Sequence, residues 1–119
     1  MSIEAQNARW GWEKAGATAC VYMELRNTGE RTVSLVSASS PDFTFANLVT
    51  TTDEEGEQVK AGLDGITVRE ETVLRPGDRR VQLDAPTRPL ASDETVELVL
   101  SLSDGTRLTV TADGDADAL

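Results

Sequence analysis

The sequence predicts an all-β sandwich, and three observations carry that prediction. Apolar residues recur with a period of two and not with the helical period of about 3.6. The chain holds 11 Val and 14 Thr, residue types that fit a pleated, half-buried surface. Turn signals separate the apolar runs at intervals of roughly 8 to 12 residues, the rhythm of sandwich strands. With 119 residues the chain is one domain's worth, enough to bury roughly two-thirds of the surface its unfolded form exposes.

In chain order, the first alternating run covers residues 19–26. It puts Val21, Met23 and Leu25 on one face and Cys20, Tyr22 and Glu24 on the other, and Asn27-Thr28-Gly29 ends it. Residues 32–37, 45–51, 66–73 and 79–83 are further short strands. They are divided by Asp53-Glu54-Glu55-Gly56, by Arg75-Pro76-Gly77-Asp78, and by Pro86 with Pro89. Residues 95–102 alternate most cleanly, with Val96, Leu98, Leu100 and Leu102 facing one way and Glu97 and Ser101 the other. Asp104-Gly105 then supplies the positive φ angles of a tight turn, and residues 107–112 return with Leu108 and Val110 on one face. Residues 1–112 therefore form a single domain, and residues 113–119 form a small, acidic, flexible tail.

Composition excludes whole classes of chemistry. There is no His, which removes Ser-His-Asp and Cys-His nucleophile activation, His-based proton shuttling and the commonest transition-metal ligand together. The single Cys20 excludes an intramolecular disulfide framework. A formal net charge of −10, from 21 Asp+Glu against 11 Lys+Arg, opposes binding to nucleic acid or to anionic lipid. No segment has the length and apolarity of a membrane span. The first nine residues have neither the basic start nor the apolar core of an export signal. No cofactor motif is present, so no cofactor and no enzymatic activity are expected.

Five pieces in order resemble the PCuAC family, the small cupredoxin-like copper chaperones of the bacterial cell envelope. Residues Cys20-Val21-Tyr22-Met23-Glu24-Leu25-Arg26-Asn27-Thr28-Gly29 are similar to its A-x-Y-x-x-I-x-N-x-G pattern. Leu35-Val36-Ser37-Ala38-Ser39-Ser40-Pro41 is similar to its L-V-x-A-S-S-P. Arg75-Pro76-Gly77, then Thr87-Arg88-Pro89-Leu90 against its K-R-P-L, and the final hairpin over residues 93–110 complete the set. The resemblance implies a cupredoxin-like Greek-key β-sandwich of about 7–9 short strands. It also implies the periplasm or cell envelope as location, with the cytoplasm as the alternative for a chain lacking an export signal.

The resemblance further implies a copper site made of a His after the S-S-P strand, a Met about eleven residues on, and a His-x-Met pair after the Pro-Gly turn. Alignment outward from Ser39-Ser40-Pro41 and back from Thr87-Arg88-Pro89-Leu90 places those positions on Val49, Lys60, Arg80 and Gln82. None of the four supplies the imidazole or thioether that suits Cu(I), and two are cations. Copper binding in the family's way is therefore not expected. Lys60, Arg80, Gln82 and the adjacent Arg79 are expected to gather as a solvated polar rim or as a patch that docks another protein.

Other candidates carry blander readings. Cys20 and Met23, three apart on a strand, point to opposite faces and so do not converge on a soft metal. Asp53, Glu54, Glu55 and Glu57 read as a solvated acidic turn. The D-x-D-x-D run from Asp113 lacks the twelfth-position Glu of a calcium loop. Glu70 and Glu71 are adjacent and not facing, so they make no catalytic carboxylate pair. Trp10 and Trp12 share a face near the N-terminus, with at least one of them in the core. The function expected is that of a non-enzymatic accessory or protein-binding module. The alternative is a copper metallochaperone using other ligands, such as Cys20, Met1 or carboxylates.

Overall fold

The structure is a computed structural model that describes residues 3–75 and 78–114. Ten strands make up its regular structure: β1 (Ile3–Lys14), β2 (Thr18–Asn27), β3 (Val33–Ser39), β4 (Phe43–Glu54), β5 (Glu57–Gly62), β6 (Ile66–Val68), β7 (Glu71–Leu74), β8 (Arg80–Pro86), β9 (Val96–Leu102) and β10 (Arg107–Gly114). Among the described residues no helix is long and apolar enough to cross a membrane. The strands follow one hydrogen-bonded path, β5-β4-β8-β2-β1-β10-β9-β3-β6, with β7 also paired to β2. That path folds into two layers. Layer A holds β5, β4, β8, β2 and β1 with β7, and layer B holds β10, β9, β3 and β6.

The core lies between the layers and is assembled from the alternation of each strand. Val96, Leu98, Leu100 and Leu102 of β9 face it, as do Ala19, Val21, Met23 and Leu25 of β2 and Val81 and Leu83 of β8. Trp10 is fully buried there and its Nε1 donates to the Glu94 carbonyl at 2.7 Å. Its ring meets Trp12 edge-on at 5.1 Å, and Trp12 in turn meets Phe43 at 6.0 Å.

The strand count exceeds the expected 7–9 for three physical reasons. β1 alternates weakly because a register shift between Gln6 and Arg9, with Asn7 at φ 55°, interrupts its pairing with β2. β5 is exposed along nearly its whole length, so no apolar period marks it. Residues 66–73, expected as one strand, divide at Arg69 and Glu70 because β6 pairs with β3 in layer B while β7 pairs with β2 in layer A.

Two hairpins also differ from expectation. The last one is a three-residue loop: the Gly105 N–H donates to the Leu102 carbonyl at 3.0 Å. Only Gly105 takes a positive φ, at 87°, while Asp104 anchors the Thr106 N–H at 2.9 Å. The two-residue turn with both φ angles positive is instead Glu55-Gly56, at 54° and 86°. Asp53 and Glu54 therefore belong to β4, and Glu54 directly faces Glu57. β10 runs to Gly114, two residues into the segment expected as a tail; the remaining positions, 115–119, lie outside the described residues, as do Met1, Pro76 and Gly77.

Candidate functional site

Layer A has a second face, turned away from the core. The pairing of β4 with β8 sets Val49 opposite Arg80 and Asn47 opposite Gln82, and the pairing of β2 with β8 sets Cys20 opposite Gln82. On β5, Lys60 pairs with Thr51, two residues beyond Val49 on the same face. All four positions expected from the resemblance thus share the outer face, although three different strands supply them. Arg79 precedes β8; its carbonyl accepts the Arg75 N–H at 3.1 Å, and it has no part in the bonds that join Lys60 and Arg80 to the site.

The face is closed by curvature. β5 and β1 stand four strand spacings apart, about 19 Å on a flat sheet. Yet Lys60 Nζ lies 2.7 Å from Glu13 Oε1, so the layer coils until the β4–β5 hairpin reaches across to β1. Beneath that strut Cys20 and Tyr22 form a small buried cluster separate from the main core. The second oxygen of Glu13 accepts the Cys20 thiol at 3.0 Å.

Arg80 is the unexpected member. It is only 5% exposed, which corrects the expectation of a solvated rim. Its Nη1 donates to Thr51 Oγ1 at 2.9 Å and to the Asp78 carbonyl at 2.7 Å. Its guanidinium also lies near enough to Cys20 and Glu13 to favour the charged form of each. A buried cation is tolerable only with such partners. Next to it, Gln82 Nε2 donates to Asp84 Oδ2 at 2.9 Å, and Asp84 Oδ1 accepts the Thr18 hydroxyl at 2.8 Å. Gln82 Oε1 is buried without a hydrogen-bond partner.

Protonation follows from these contacts. Burial, reinforced by the Glu13 hydrogen bond, raises the Cys20 pKa to about 11, so the thiol stays protonated at neutral pH. Burial also raises Tyr22, with Cys20 adding to the effect. Burial works against the Glu13 carboxylate too, but hydrogen bonds from Cys20 and Lys60 and the charges of Lys60 and Arg80 outweigh it and leave its pKa lowered.

This donor set does not fit Cu(I). Val49 offers no lone pair, the Lys60 ammonium is tied to Glu13, Arg80 is a guanidinium that carries no lone pair to give, and Gln82 offers only an amide oxygen. Among the described residues no three of Asp, Glu and Cys gather to hold a metal. Cys20 and Met23 lie on opposite faces of β2, in separate clusters.

A cavity of about 620 Å³ lies elsewhere, at the end of the sandwich where residues 29–32 meet residues 68–71. Glu70 and Glu71 line it together with Arg31 and Arg69. Asn27 shapes its floor, donating through Nδ2 to the Arg31 carbonyl at 2.8 Å and accepting the Gly29 N–H at 3.0 Å. The sequence marks that turn through Asn27 and Gly29, but not the concavity that the two distant segments make together.

Comparison with known proteins places this geometry. The copper-bound PCuAC domain from PmoF2 superposes with a TM-score of 0.79 at 18% identity, covering 98% of this chain and 94% of that domain. The apo PCuAC domain from PmoF1 gives 0.77 at 16% identity, covering 98% and 95%. Apo-DR1885 from Deinococcus radiodurans gives 0.65 at 29% identity, covering 94% of this chain and 77% of that one. No curated protein sequence gives a match. Residues 3–113 match the family model described as "LpqE-like: Putative lipoprotein LpqE-like", and with a PCuAC-type sandwich over that span the chain belongs to the LpqE-like family.

Proposed function

We propose that the protein is a non-enzymatic accessory module of the cell envelope that has kept the PCuAC framework and lost its copper site, acting through contact with another protein. The observation that supports this most is the Val49–Arg80 pair. Where the resemblance expects one imidazole on each of two neighbouring strands, the chain has an isopropyl group facing a buried, hydrogen-bonded guanidinium. Lys60 and Gln82 complete the degenerate set. Its single domain extends through β10 to Gly114. Because Arg80 is buried, partner contact on this face falls to Lys60 and the hairpin that carries it. Competition for Cu(I) between the tag-free protein and a chelator tests the reading. No stoichiometric uptake is expected, and sub-micromolar binding of one ion per chain would overturn it.

A second reading, metallochaperone activity through other ligands, has one observation in its favour. Cys20 sits between the Glu13 carboxylate and the unpartnered Gln82 Oε1. If metal uptake is found, replacing Cys20 with Ser and Met23 with Leu abolishes it under this reading, and unchanged uptake removes both residues as ligands.

A further inference from the structure

We infer that the seam between β1 and β10 is a strand-addition site, one that takes an extended peptide segment of a partner protein by its backbone. The inference is independent of the copper site and lies on a different part of the fold.

Among the described residues the two layers meet along this seam through two parallel residue pairs, Arg9 with Asp113 and Trp10 with Gly114. Before that stitch the strands diverge. β1 carries its bulge at Asn7, and β10 pairs with β9 alone from Arg107 to Ala112. Which backbone groups face the gap follows from the hairpin. The Leu102 N–H donates to the Thr106 carbonyl at 2.9 Å, so alternate residues of β10 from that point, Leu108, Val110 and Ala112, exchange hydrogen bonds with β9. The N–H and C=O groups of Thr109 and Thr111 therefore point the other way, toward β1, and no strand among the described residues pairs with them there.

On the opposite wall, the Asn27 N–H donates to the Glu70 carbonyl, away from β1. This makes Ile3 a non-bonded partner of Asn27 and, by the same alternation, turns the backbone of Ala5 toward the gap. Between the walls lies a cavity of about 360 Å³ lined by Ala5, Asn7, Ala8, residues 108–111 and Asp113, with the volume of about a dozen water molecules. A strand edge left open in this way is a template for another chain.

The lining also sets the chemistry of the guest. Ala5 and Ala8 keep the β1 wall free of bulky side chains, and on the β10 wall the exposed Thr109 and Thr111 stand beside the Asp113 carboxylate. The occupant is an extended segment recognised by main-chain hydrogen bonds, with no acidic side chain beside Asp113.

A display library of short random peptides selected against the full chain tests this, with the strongest binder made synthetically. Its binding is expected to slow hydrogen exchange at the Thr109 and Thr111 amides. N-methylating the peptide backbone at alternate positions should weaken it by about tenfold or more in one of the two registers. Thr109→Pro removes an N–H that β9 does not use, and should weaken binding comparably while the tryptophan emission of the folded chain is retained; should that variant not fold, the N-methylated peptide stands alone. A binder that leaves both amides unprotected, binding that survives N-methylation in both registers, or a library that yields no binder overturns the inference.

Discussion

The two faces of layer A are built from the same strands and by opposite chemistry. Facing the core, Val21, Val81 and Leu83 pack against the other layer as interchangeable apolar volume. Facing out, one residue away on the same strands, Cys20, Arg80 and Gln82 are held by individually specified bonds, each with a named donor and acceptor. The inner face needs only residues that are apolar and of about the right size. The outer face needs particular atoms at particular distances, and it is there that this chain departs from what its resemblance implies.

Substitutions can break or sharpen that contrast. The largest loss belongs to the inner face: Leu83→Ala, at a fully buried position, should cost about 2–5 kcal/mol of unfolding free energy in urea titrations. Arg80→Met comes next. It strips Thr51 and Asp78 of a partner while keeping the volume apolar, and should cost about 1–3 kcal/mol. A stabilised Met variant would show that the guanidinium serves something other than folding.

Cys20→Ser should change how stability depends on alkaline pH. Because the folded thiol has its pKa raised from 9.0 to about 11, its contribution is complete below pH 9 and is lost as pH rises through 11. The wild-type melting temperature should therefore fall more steeply across that window than that of the variant, and parallel curves would contradict the assignment. Lys60→Ala should do least. Its ion pair with Glu13 is about one-third exposed on both sides, and pairs of that kind are worth under about 1 kcal/mol. Its visible effect should be faster amide exchange in the β4–β5 hairpin.

Legibility in the sequence follows the same division. Val96, Leu98, Leu100 and Leu102 declare a strand and its buried side through alternation alone, and the structure buries all four. Arg80 shows the opposite case. Its type suggests solvent, and what buries it is the coil of layer A together with the Thr51 hydroxyl and the Asp78 carbonyl. The coil and the Thr51 contact join segments far apart in sequence. The contact between Glu13 and Lys60 joins residues 47 apart across the width of a sheet, and no periodicity encodes it. β5 was silent because an exposed edge strand carries no apolar period, and β4 was expected to end early because its turn is the two residues Glu55-Gly56 and not the whole acidic run. The resemblance located Val49, Lys60, Arg80 and Gln82 as a set, and register explains why they share a face; the bonds among their neighbours came from the three-dimensional structure alone.

The placement of the aromatic side chains gives each face its own optical signal. Both tryptophans of the chain lie on the inner side of β1, stacked edge to face, and the single tyrosine, Tyr22, lies on the outer side of the neighbouring strand. Tryptophan emission therefore follows loosening of the core and passes over changes under the hairpin. Phenolate absorbance of Tyr22, delayed to high pH while its surroundings remain buried, follows the hairpin and passes over the core. Without any label, the two spectra separate an unfolding chain from one that has merely lifted its β4–β5 arm.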